Sequence, residues 1–101
     1  MTTHVAEIVT FRLEPGTDPQ AFAAAAKGTE AALRKMGTLI SRTLSCDEDG
    51  LWTDHIVWAF MEDAKAAAQA VMQEPSFQPF GKMISSQDLV MRHAYIHLQM
   101  D

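Results

Sequence analysis

The sequence predicts an α+β domain, with four strands and two helices in the order β-α-β-β-α-β. Three observations predict it. Leu51–Phe60 (LWTDHIVWAF) crowds aromatic and β-branched residues together without Gly or Pro, which marks a central strand. Alanine-rich stretches with helical spacing lie on either side of it. Alternating apolar runs near both ends supply the outer elements.

His4–Leu13 (HVAEIVTFRL) reads as the first strand. Val5, Val9, Phe11 and Leu13 share one side with Glu7 among them, and Ala6, Ile8 and Thr10 share the other. A carboxylate in an apolar row is the first anomaly. Glu14-Pro15-Gly16 ends the strand. In Thr17-Asp18-Pro19-Gln20, Thr17 caps a helix, Gln20 reaches back and Pro19 fits the first turn. One helix is predicted from Asp18 to Met36, with Phe22, Ala25, Ala26, Leu33 and Met36 on its inner stripe. Glu30 pairs with Arg34 outside, and Gly37 is the stop.

Thr38–Cys46 is the second strand, with Leu39, Ser41, Thr43 and Ser45 opposite Ile40, Arg42, Leu44 and Cys46; its polarity suits a sheet edge. Asp47-Glu48-Asp49-Gly50 makes a hairpin turn, and its acids read as a solvated loop because calcium needs more oxygen ligands. On Leu51–Phe60, Trp52, Asp54, Ile56, Trp58 and Phe60 face one way, and Leu51, Thr53, His55, Val57 and Ala59 the other. The second helix is predicted over Glu62–Gln73, with Ala64, Ala67, Ala68, Val71 and Met72 inward and Pro75 beyond its end. Ser76–Ile84, carrying Phe77, Phe80 and Met83, reads as a helical turn over a cavity mouth or core edge. Gln87–Met100 is the last strand: Val90, Ala94, Ile96 and Leu98 alternate with Met91, His93, Tyr95 and His97, and Arg92 interrupts the first row.

Composition narrows the classes. The 101 residues fit a single domain, 1–101, and 48% hydrophobic content argues against disorder. A net charge of −5 with scattered basic residues disfavours nucleic acid and anionic membrane as partners. The single Cys46 makes a reducing cytoplasm the default. Thr2, Thr3, His4 and Glu7 break any early apolar run, so no leader is expected, and no stretch is long enough to span a membrane.

The element order is that of the ferredoxin-like unit, a four-stranded antiparallel sheet with two helices on one face. The other face is then bare. The rows Val5-Glu7-Val9-Phe11 and Trp52-Asp54-Ile56-Trp58-Phe60 are expected to form it and to stack on a second copy, while His55 packs under a helix.

The phrases HVAEIVTFRLEPG, WTDHIVWAF and EPSFQPFGKMI, in this order and spacing, resemble the dimeric α/β-barrel superfamily. The likeness covers nearly the whole chain and is strongest to its stress-responsive small barrels, relatives of antibiotic-biosynthesis-type monooxygenases. It implies a homodimer whose two sheets close into a barrel of about eight strands, either filled by side chains or holding a small ligand. Members include cofactor-independent quinone-forming monooxygenases, polyketide cyclases and haem-degrading monooxygenases. The histidine pair of the cyclases falls here at Val5, or His4 with a slipped register, and at Phe77. Haem-degrading members carry a histidine on the second helix, and Glu62–Gln73 has none, so no cofactor is expected.

The expected lumen gathers Glu7, Trp52, Asp54, Trp58, Met91, His93 and Tyr95. Glu7 or His93 would be a general base and Tyr95 a hydrogen-bond donor. Trp52, Asp54, Trp58, Phe77 and Met91 would line a site for a planar aromatic or polyketide-like ligand. Burial raises a carboxyl pKa toward a useful range, and histidine starts there. Against this, Glu7 pairing with Arg12, Arg42 or Arg92 would be structural, and the tryptophans suit a core or interface. His4 and His97 near strand ends read as exposed. Glu7, Asp54 and His93 make no compact metal motif, Cys46 lacks a basic neighbour, and neither a phosphate-cradling glycine loop nor a Gly-x-Ser-x-Gly elbow occurs. Two classes follow: a cofactor-free oxygenase, cyclase or isomerase, or a non-catalytic binding or stress-related homodimer with a packed lumen. Room beside Glu7 and Asp54 separates them.

Overall fold

The computed structural model describes residues 3–100. Antiparallel pairing orders the strands β2-β3-β1-β4, where β1 is Val5–Phe11, β2 Leu39–Cys46, β3 Trp52–Trp58 and β4 Val90–Tyr95. The most apolar strands are central and the polar β2 is an edge, as its composition predicts. Helices α1 (Pro19–Lys27), α2 (Glu30–Arg34), α3 (Met61–Ala70) and α4 (Gln78–Lys82) complete the ferredoxin-like order. None of them is long and apolar enough to cross a membrane.

Local chemistry moves several boundaries. The predicted first helix is two helices. Asp18, not Thr17, caps α1 by accepting the Gln20 N–H at 3.2 Å. The break follows Gly28, a poor helix former, and Thr29, whose buried hydroxyl donates to the Ala26 carbonyl at 2.6 Å. The second helix tightens to a 3₁₀ turn over Val71–Gln73, and Pro75–Phe77 forms another. The last strand stops at Tyr95 because its partner β1 begins at Val5; an Ile96 N–H to His4 carbonyl bond of 2.8 Å is its final rung. In the hairpin, Asp47 Oδ1 accepts the Asp49 and Leu51 N–H groups at 2.8 and 2.9 Å, and Gly50 supplies the positive φ.

Which face the helices cover is the principal correction. Val5, Glu7, Phe11, Trp52, Asp54, Ile56 and Trp58 are buried beneath the chain's own helices, not exposed for a second copy. The physical reason is volume. The inner helix stripes end in Ala26, Ala64 and Ala67, so large sheet side chains must fill the space between layers. One core cluster joins Val5, Ile56 and Trp58 to Leu33, Ala64 and Ala67. The other joins Phe11 and Trp52 to Phe22, Ala26 and Phe80, with the Phe22 and Phe80 rings stacked at 5.0 Å. Phe77 touches both.

A β-bulge near Ile40 brings Leu39 and Arg42 onto that same helix-covered face, so the simple alternation predicted for the second strand fails there. The opposite face presents Ala6, Ile8 and Thr10 of β1, Thr53, His55 and Val57 of β3, and Val90, Arg92 and Ala94 of β4. His55 therefore lies away from the helices, and Phe60 is half exposed ahead of α3.

Candidate functional site

Strand register sets a straight row across the sheet. His93 on β4 faces Glu7 on β1, Glu7 faces Ile56 on β3, and Ile56 faces Arg42 on β2. The neighbouring row is Met91, Val9, Asp54 and Leu44. These rows fall between the two core clusters, where the helix layer leaves a gap. The gap is a cavity of about 380 Å³. Ile56, Val9 and Phe11 form part of its floor, Phe77 and Phe80 close over it, and Met72, Leu89 and Met91 stand exposed at its rim.

Glu7 is only 6% exposed and bonds His93 Nε2 at 3.2 Å through Oε1. Burial pushes its carboxyl above the ordinary value of 4.5; the His93 contact pulls it down and the nearby Asp54 pushes it up. The Trp58 indole, whose Nε1 is buried without a formed hydrogen bond, also pulls it down.

Asp54 is clamped by Arg42, Nε to Oδ1 at 3.0 Å and Nη2 to Oδ2 at 2.8 Å. Arg42 Nη1 donates to the Thr29 hydroxyl at 2.8 Å and the Ala26 carbonyl at 3.2 Å, so one guanidinium ties the edge strand to the helix break. Its Cζ stands over the Phe80 ring, 5.5 Å from the centre.

Of the residues singled out in the sequence, Glu7, Asp54, Phe77 and Met91 line this cavity, and His93 adjoins it through Glu7. The chamber differs from the expected lumen: it lies between sheet and helices of one chain. Trp52 and Trp58 belong to the core clusters and do not line it. Tyr95 shares the face but is 55% exposed beside Val5, beyond the helix layer. Glu7 meets no arginine: Arg12 donates to the Asp49 carbonyl at 2.7 Å, Arg42 is taken by Asp54, and Arg92 projects from the other face. Sequence reasoning missed Arg42 and Thr29 as members of the site, while Phe80 belongs to the turn expected over a cavity mouth or core edge; the signal for Arg42 was a cation in phase with Leu44 on the edge strand.

A wider concavity, about 530 Å³, separates α2 from the end of α3. Its lining, Ala31, Ala32 and Ala70 with Lys35 and Glu74, includes no buried titratable group, unlike that of the other cavity. Among the described residues no group of three or more His, Cys, Asp or Glu side chains is placed to hold a metal ion.

No protein-family model matches the sequence, and no curated protein matches it. Solved structures do. A Bordetella bronchiseptica protein provisionally named an antibiotic biosynthesis monooxygenase superposes with a TM-score of 0.77 at 15% identity, covering 95% of this chain and 99% of that one. SnoaB, a cofactor-independent oxygenase from Streptomyces nogalater, gives 0.66 at 16% identity, with 98% and 96% covered. NE2512 from Nitrosomonas europaea, of unknown function, gives 0.69 at 12% identity, with 98% and 94% covered. Over nearly its full length the chain therefore shares the ferredoxin-like βαββαβ fold of these structures.

Proposed function

We propose that this protein is a homodimeric, cofactor-independent oxygenase of small, flat, mainly apolar molecules. The carrying observation is a buried carboxyl, raised in pKa and bonded to a histidine, facing an apolar cavity of about 380 Å³. In this reading Glu7 takes a weakly acidic proton from a methylene group of the ligand, and His93 fixes the carboxylate's orientation. The resulting carbanion reduces oxygen directly: the methylene and dioxygen become a carbonyl and water, the ligand losing the electrons that oxygen gains, with no outside reductant. Phe77 and Phe80 hold the ring and exclude water. The likeness to SnoaB supports this chemistry by fold. Tyr95, outside the cavity, has no part in it. The face carrying Ile8, Thr10 and Thr53, which are only partly buried, takes the second copy.

Oxygen uptake with a panel of hydroxylated polycyclic compounds tests the reading. Glu7→Gln is expected to lower the rate by about a hundredfold or more. Uptake in the wild type is expected to rise with pH as Glu7 ionises. A compound that binds tightly without oxygen uptake would transfer the protein to the non-catalytic class.

A further inference from the structure

We infer that Arg42 is the specificity-determining residue of the cavity, donating an uncommitted Nη2 N–H to a carbonyl or phenolate oxygen of the ligand. This rests on the cavity being the binding site, not on turnover.

A guanidinium has five N–H donors. Three of Arg42's are engaged: Nε and one of Nη2 on Asp54, and one of Nη1 shared by the Thr29 and Ala26 oxygens, which stand 2.6 Å apart. The second N–H of Nη2 meets no partner among the described residues. The side chain is only 11% exposed, so water does not easily serve that donor once the cavity is filled. Leaving it unpaired under a ligand is unfavourable, and a ligand without an acceptor oxygen suffers that loss.

The other polar groups of the cavity cannot do this. Glu7 and Asp54, when ionised, only accept, and Gln78 and Lys82 are exposed residues of the short α4. Arg42 is also held in advance, by four hydrogen bonds and the Phe80 ring, so little freedom is lost on binding. Its place in the row supplies direction. Arg42 and Glu7 flank Ile56 two strands apart, about 10 Å between backbones. A ring lying over Ile56 has its oxygen toward Arg42 and its acidic hydrogen toward Glu7.

The test compares 1-tetralone with its hydrocarbon parent tetralin, titrated by NMR on the Ile56 methyl and Arg42 Nε–H resonances. Tetralone is expected to shift both and tetralin only the methyl. Arg42→Lys is expected to weaken tetralone about tenfold while leaving tetralin within about twofold. Because Arg42→Lys strains the Asp54 clamp, the paired variant Arg42→Met with Asp54→Leu removes both charges and should give the same split. Equal losses for the two probes, no loss for tetralone, or no tetralone binding to the wild type would overturn the assignment. Failure of the oxygenase reading looks different: no oxygen uptake, with ketone and hydrocarbon still discriminated by Arg42.

Discussion

Glu7 titrates under opposed influences, and the larger one is burial. Its pKa lies above 4.5 in the folded protein, so between 4.5 and the folded value the native state holds a proton that the unfolded chain has released. The stability this contributes is complete below 4.5 and is lost as pH rises through the folded pKa. Urea midpoints from about pH 4 to 7 should therefore show Glu7→Gln gaining on the wild type as pH rises. Parallel curves would mean that Glu7 does not titrate in that range. Trp58→Phe removes an indole that favours the ionised form, so it should move this window upward, as followed by the Glu7 carboxyl NMR signal. Glu7 and Asp54 were legible in the sequence, since acids in apolar rows need a reason. Arg42 was not, because a cation among serines and threonines on a polar strand looks solvated. Tyr95 misled for another cause: alternation gives the face of a residue, not how far the overlying helices extend.

At the scale of elements, the break between α1 and α2 is where the helix layer is fastened to β2. Thr29→Val deletes one hydroxyl that both donates to Ala26 and accepts from Arg42, and should lower unfolding free energy by about 1–3 kcal/mol. A change near zero in chemical denaturation would show that Arg42 rearranges freely. Asp54→Ala leaves a guanidinium buried without its carboxylate and is expected to cost about 3–5 kcal/mol by the same measurement. The six-element order was readable from periodicity alone. The helix break and the bulge at Ile40 were not. A run of alanines outweighs one glycine in any propensity sum, and a bulge depends on partner strands that a single strand's pattern does not reveal.

For the whole molecule, the sequence could specify the sheet but not which side its helices take. Both rows of β3 are mainly apolar, and aromatic residues suit an interface as well as a core. Packing decides: helices with alanine on the inside need tryptophan and phenylalanine opposite them. The proposed dimer must then use the smaller side chains of the other face. Ile8→Asp, placed there, should give a folded monomer by light scattering and circular dichroism, against a wild-type dimer. A compact wild-type monomer at micromolar concentration would remove that part of the proposal. One consequence concerns heat. His93 rides on β4, which pairs with β1 alone, and such a border ribbon peels away sooner than the interior. Gentle warming would then unhitch the imidazole from its acid while the rest of the domain stays intact, and the proposed base would lose its anchor well below the melting point.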